Sequence, residues 1–137
     1  MCGIIGYVGR KNGVPVVLNG LKMLEYRGYD SAGLAALSGH TITIRKRKGT
    51  IDSGLAPLLI EDPLAASVAI GHTRWATHGP PTDGNSHPHM DLSGRIAVVH
   101  NGIIENHERL RERLRQAGHV FRSATDTEVL AHLIGRH

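Results

Sequence analysis

Cys2, the only cysteine of the 137-residue chain, stands directly behind the start methionine in Met1-Cys2-Gly3-Ile4-Ile5-Gly6. A side chain this small lets an aminopeptidase remove Met1, after which one residue carries both a thiol and a free α-amine. An α-amine has a pKa of about 7.7–8.0, so near neutral pH it can take the thiol's proton and act as base to its own side chain. The alternative is an ordinary small residue opening a first strand. Asn101-Gly102 offers a side-chain amide beside an unhindered backbone N–H. Thiolate attack on an amide needs such donors for its oxyanion, but Asn-Gly is equally a strong hairpin-turn signal. Arg74 can clamp a carboxylate through parallel hydrogen bonds or form a surface ion pair. Asp126 can bind an ammonium or simply favour a helix N-terminus by its charge. Together Arg74 and Asp126 would read the two charges of a free amino acid. Trp75 suits a loop that closes over a site, or plain packing. His78, His87 and His89 share one loop but lack a usual zinc spacing, so no metal is expected.

The elements that must hold these residues read as mixed α and β. Gly3 to Val8 is a predicted strand, followed by a helix from about Pro15 to Tyr26 with Val17, Leu18, Leu21 and Leu24 on one face and Gly28 as its stop. A hairpin joins Ala32–Leu37 to the alternating Thr41–Ile44 through Ser38-Gly39. Ile51 to Ile60 is a short helix limited by Pro57, and Ser67 to His72 a buried strand. Arg74 to Gly94 shows no periodicity, and a loop of that length in a compact domain is usually functional. Arg95 to His100 is a further strand, Asn106 to Ala117 a helix with Asn106 as cap and Gly118 as stop, and Val120 to Arg122 a short strand. Thr125-Asp126-Thr127-Glu128 has capping-box spacing and opens a last helix buried through Val129, Leu130, Leu133 and Ile134. That helix is still in pattern at His137, so the domain is expected to be partial.

Composition narrows the classes. A chain with 40% hydrophobic and 20% charged residues is ordinary for a globular domain. One cysteine excludes an internal disulfide framework and fits a reducing cytoplasm. There is neither a signal-peptide pattern nor an apolar run of about 18 residues, so no membrane partner is expected. The net charge of +4 gathers in Arg45-Lys46-Arg47-Lys48 and from Arg109 to Arg115. With only 4% aromatics and none interleaved with these basic residues, solvated faces are expected rather than a nucleic-acid surface.

Six blocks occur in order: Met1 to Tyr7, Glu25-Tyr26-Arg27-Gly28-Tyr29-Asp30-Ser31-Ala32-Gly33, Gly71-His72-Thr73-Arg74-Trp75-Ala76-Thr77-His78-Gly79, His87-Pro88-His89, Val99 to Asn106, and Thr125 to Val129. Together they resemble the glutaminase domain of glucosamine-6-phosphate synthases, class II glutamine amidotransferases of the N-terminal-nucleophile hydrolase fold. Purine-pathway amidophosphoribosyltransferases tend to carry a His-Arg-Gly-Gln type block where this chain has Tyr26-Arg27-Gly28-Tyr29. Asparagine synthetases and glutamate synthases share the N-terminal cysteine but match the other blocks poorly.

The resemblance implies an α+β, four-layer αββα sandwich, incomplete at the C-terminus, with residues 1–137 forming the N-terminal part of the amidotransferase domain. It implies hydrolysis of L-glutamine to glutamate and ammonia through a thioester on Cys2, whose α-amine is general base and then acid. Asn101 and Gly102 would form the oxyanion hole. Arg74 would bind the glutamine carboxylate and Asp126 its ammonium. Thr77 and His78 would line the pocket with His87 nearby, Trp75 would gate it, and Arg27 and Gly28 would position the N-terminus. No cofactor is implied, and fructose 6-phosphate would be used only through an isomerase domain absent from this chain. The full-length family protein is expected to be a homo-oligomer. The alternatives are another class II amidotransferase or an inactive fragment.

Overall fold

The computed structural model describes residues 1–137. Four strands, β1 (Gly3–Val8), β2 (Ser31–Ser38), β3 (Thr41–Lys48) and β4 (Val68–Arg74), form an antiparallel sheet in the order β1-β4-β2-β3. The β2–β3 hairpin turns at Gly39, whose φ of 60° lies in the left-handed region that glycine tolerates. In register, Gly3 pairs with Thr73, and Gly33 pairs with His72.

Strand alternation divides the sheet into two different faces. Ala32, Leu34, Ala36 and Ala69 bury against Val14, Val17 and Leu21 of helix α1 (Gly13–Leu24), with Ile5 and Tyr7 beside them. Each fully buried Val or Leu contributes about 1.5–3 kcal/mol to this layer. The Asn12 side chain caps α1 by accepting from Val14 N at 3.1 Å, and also holds Ala66 N at 3.2 Å just ahead of β4. Ile51, Leu55 and Leu59 complete this core from a turn of π-helix and α2 (Ala56–Glu61).

The opposite face carries His72, Arg74 and Lys46. Against it lie the 74–94 loop and a two-stranded sheet of β5 (His89–Met90) and β6 (Ala97–Val98). α4 (Glu128–Gly135) packs on β5 and β6, with α3 (His107–Gln116) beside it. The succession is helix, sheet, sheet, helix, with a small second sheet. None of the helices is long and apolar enough to cross a membrane.

Several local expectations change. The helix predicted from Pro15 to Tyr26 is α1 plus a 3-10 turn at Glu25–Arg27. The basic run Arg45–Lys48 is the second half of β3: Arg47 and Lys48 are exposed as expected of a solvated face, while Arg45 and Lys46 are partly buried. Arg45 pairs with Asp62 at 2.5 Å, Arg47 with Asp83 at 3.7 Å, and Lys46 turns inward. Strand structure within Arg95–His100 is confined to Ala97–Val98, because the Asp91 carboxylate collects the amides of Ser93, Arg95 and Ile96 into a tight loop. Val120–Arg122 is not a strand: the Glu128 carboxylate takes the backbone N–H of Arg122 at 2.7 Å and of Ser123 at 2.8 Å. That use of Glu128 displaces the expected capping box, and the N-cap becomes Thr127. Asn106 caps α3 by position, without a side-chain bond. In α4 the buried residues are Glu128, Val129, Ala131 and His132, while Ile134 is exposed, because the inward face meets a polar layer.

Candidate active site

Extending the β1–β4 register one residue beyond Gly3 sets Cys2 opposite Arg74, on the polar face of the sheet. The backbone N–H of Trp75 donates to Cys2 Sγ at 3.1 Å. Cys2 Sγ also lies 3.7 Å from the Trp75 carbonyl, so the turn holds the sulfur through both of that residue's backbone groups. The turn carrying this N–H is anchored by Asp30, whose carboxylate accepts from Ala76 N at 2.5 Å and from Ser31 Oγ at 3.2 Å. Gly28 backs the same turn. A Cβ there would lie 2.7 Å from the carbonyl carbon of Arg74 and 3.0 Å from Trp75 N, so only glycine lets the 25–28 segment close against it.

Asn101 holds the backbone of Cys2. Its Nδ2 donates to the Cys2 carbonyl at 2.9 Å, and its Oδ1 lies 2.7 Å from His72 Nε2. The N–H of Gly102 has no partner within the chain, and the residue lines the same cavity as Cys2. A side chain at Gly102 would meet the His100 ring at 2.9 Å, and His100 is itself fixed by Thr127 Oγ1 at 3.2 Å. Asn101 Nδ2 therefore stands at the Cys2 backbone, with the unpartnered Gly102 N–H next along the chain.

Cys2, Arg27, Arg74, Trp75, Thr77, His78, His87, Asn101, Gly102 and Asp126 line one cavity of about 530 Å3, a size common for small-molecule sites. Gly28 alone of the predicted residues lies behind its wall. Arg74 is buried, and its guanidinium donates to the carbonyls of His78, Gly79 and Pro80. Guanidinium has five N–H donors, so donors remain for a ligand while the rest hold the loop. Burial lowers the Arg74 pKa, opposed by Asp30, Cys2 and Asp126. Asp126 is buried; its Oδ2 accepts from Ile104 N at 2.8 Å, and Oδ1 has no protein partner. Trp75 is half exposed at the rim, edge-on to Tyr29 with ring centroids 5.6 Å apart. Arg27 Nη2 lies 3.6 Å from Met1 Sδ, next to the N-terminus.

The loop histidines part company. His78 turns to His107 at the rim, with centroids 5.1 Å apart. His87 stacks on His72 at 4.1 Å, and His89 accompanies it, bonded to Thr125 Oγ1 at 2.8 Å. Burial drives the pKa of both His87 and His89 far below the ordinary range, and Lys46 and Arg74 push the same way. Lys46 Nζ donates to the carbonyls of Gly84, Ser86 and Pro88 at 3.1, 2.8 and 3.2 Å, clamping this loop to the sheet.

Sequence reasoning missed His72, His100, Asp30 and Lys46 as parts of the site. Asp30 sits inside a quoted block, and His72 two residues before Arg74 on one strand points to the same face. Lys46 gave no such signal, because its role depends on a loop about 40 residues away.

Residues 61–137 match the family model described as a glutamine amidotransferase domain. The chain belongs to this family. Among curated relatives, glutamine–fructose-6-phosphate aminotransferase (isomerizing) of Symbiobacterium thermophilum is 59% identical over 98% of the chain, and that of Thermus thermophilus 57% over 98%. The chain spans about 22% of the length of either relative. Among solved structures, glutamine phosphoribosylpyrophosphate amidotransferase from B. subtilis superimposes with a TM-score of 0.81 at 32% identity, covering the whole chain and 30% of that protein. The shared amidotransferase fold thus extends to the purine enzyme, while sequence similarity is much greater to the aminotransferases. This agrees with the Tyr26-Arg27-Gly28-Tyr29 distinction.

Proposed function

We propose that this glutamine amidotransferase domain releases ammonia from the glutamine side chain, with Cys2 as nucleophile. The arrangement that carries this reading is the pairing of Cys2 with Asn101 Nδ2 and the unpartnered Gly102 N–H in one cavity. Once Met1 is removed, the Cys2 α-amine takes the thiol proton and the thiolate, held in place by Trp75 N–H, attacks the amide carbon. The oxyanion of the tetrahedral intermediate is held by Asn101 and Gly102. The ammonium of Cys2 returns the proton to nitrogen, ammonia leaves, and water hydrolyses the thioester to glutamate. The spare Arg74 donors take the α-carboxylate and Asp126 Oδ1 the α-ammonium, with Thr77, His78 and His87 shaping the pocket.

In this reading residues 1–137 are the N-terminal part of the amidotransferase domain. In a longer, cytoplasmic protein of the aminotransferase type, the ammonia would pass to fructose 6-phosphate held by a second domain. Intact mass and glutamate release, measured on the same sample, test the proposal. Active material should lack Met1, and Cys2→Ala should abolish release. Equal release by wild type and Cys2→Ala would refute the nucleophile assignment.

A further inference from the structure

His72 is buried in the middle of β4, 1% exposed, and the mechanism above gives it no task. Its contacts define one. The Cys2 carbonyl can only accept, so the Asn101 atom bonded to it is Nδ2, and the atom facing His72 is Oδ1. An amide oxygen also only accepts, so His72 Nε2 carries the hydrogen. In a neutral ring Nδ1 is then bare, and Nδ1 is indeed buried with no hydrogen-bond partner. The ring is held on one face by His87, nearly parallel at 13°, and Lys46 pins the carbonyls on either side of His87. Burial lowers the His72 pKa to about 4; the Asn101 bond and the His100 backbone oppose this, and the charges of Arg74 and His100 add to it.

An asparagine amide is nearly symmetric in shape, and a half-turn would exchange its donor for an acceptor. With Oδ1 toward the cavity, the oxyanion would meet a like charge instead of an N–H. We propose that His72 is the positioning residue of the oxyanion hole, its Nε2–H bond to Oδ1 fixing Asn101 so that Nδ2 faces Cys2 and the reacting carbonyl. The assignment rests on the glutaminase reading for its catalytic consequence, and on hydrogen-bond geometry for the tautomer.

The test uses the Met1-free chain with His72→Leu, which lacks the donor, and His72→Gln, whose Nε2 lies the same number of bonds from Cβ as that of histidine. Loss of an oxyanion donor costs about 100- to 1000-fold in kcat. His72→Leu should therefore lose about 30- to 300-fold in kcat with KM within about threefold, since the charge-reading groups are untouched. His72→Gln should recover to within about tenfold of wild type. Long-range nitrogen–proton NMR of wild type should show His72 as the Nε2–H tautomer at neutral pH. A folded Leu variant with kcat within about threefold of wild type would overturn the proposal. So would a Gln variant as slow as Leu, a change confined to KM, or an Nδ1–H tautomer. Should wild type itself release no glutamate, the glutaminase reading falls, and the tautomer measurement alone decides whether His72 orients Asn101.

Discussion

Gly33 provides a test of the whole polar layer from a position outside the cavity lining. It lies across from His72 in the β2–β4 register and under the backbone of His87. A Cβ at this position would stand 2.2 Å from the His87 carbonyl oxygen and 2.5 Å from Lys46 Cβ. Carbon and carbonyl oxygen need about 3.3 Å, so Gly33→Ala drives His87 outward by roughly 1 Å. Its neighbours resist, because Lys46 bonds the Ser86 and Pro88 carbonyls and the His87 ring is stacked on His72. Overpacking of this kind costs about 1–3 kcal/mol, a fall in Tm of roughly 3–10 °C for a chain of this size. The displacement passes from His87 to His72 and on to Asn101. A misplacement of about 1 Å remote from the chemistry can lower turnover about 100-fold. Glutamate release below the melting range of the variant, with calorimetry in parallel, measures both effects. Gly39→Ala is the control: it strains the hairpin turn through its positive φ but meets nothing within 4 Å, so it should lower Tm and leave kcat alone. A Gly33→Ala chain with wild-type kcat would refute the idea that the 84–88 loop sets the geometry of the oxyanion hole.

Burial lowers Lys46 from 10.5 to about 8. Between these pH values the unfolded chain keeps a proton that the folded chain has lost, so this group's contribution to stability rises with pH from about 8 to 10.5 and is flat below. At pH 9.5 the gain is about 2 kcal/mol. Urea titrations at pH 7 and 9.5 should show this rise in wild type and not in Lys46→Met; parallel pH dependence in the two chains would contradict it. Asp30→Ala removes the anchor of the turn that brings Trp75 N–H to Cys2, so glutamate release should fall several-fold through misplacement of the sulfur. Unchanged release by a folded Asp30→Ala chain would mean that this turn does not position Cys2.

The charged and reactive members of the site were legible because each carries a chemical type that few roles require. Cys2, Arg74, Asp126 and Asn101-Gly102 were identifiable as candidates, and strand and helix periodicity located β1, α1 and the β2–β3 hairpin closely. Glu128 shows why the remainder was not. Its spacing from Thr125 spelled a capping box, but its carboxylate serves the amides of Arg122 and Ser123, a choice made by tertiary proximity. Lys46 likewise sat in a basic run indistinguishable from a solvated face, until the 84–88 carbonyls were placed around it. Trp75 entered as a bulky lid candidate, yet its closest link to the chemistry is its backbone N–H, an atom every residue except proline carries.

The scaffold around Cys2 is complete while Met1 is still attached. The bond from Trp75 N–H to Sγ and the bond from Asn101 to the Cys2 carbonyl both involve atoms that removal of Met1 leaves unchanged. What the processing step alters is the nitrogen of Cys2. In the peptide it is an amide with no basic lone pair, and afterwards it is an amine with a pKa near the working pH. Met1 is 79% exposed, held at its sulfur by Arg27, and so lies open to an aminopeptidase. On the proposed mechanism, removal of Met1 would therefore change the chemistry of Cys2 without breaking either of these contacts. It requires no rearrangement of the sheet, the Asp30-anchored turn or the Asn101 contact, and Met1-bearing chain should already present the thiol to an alkylating reagent while lacking the base needed for turnover.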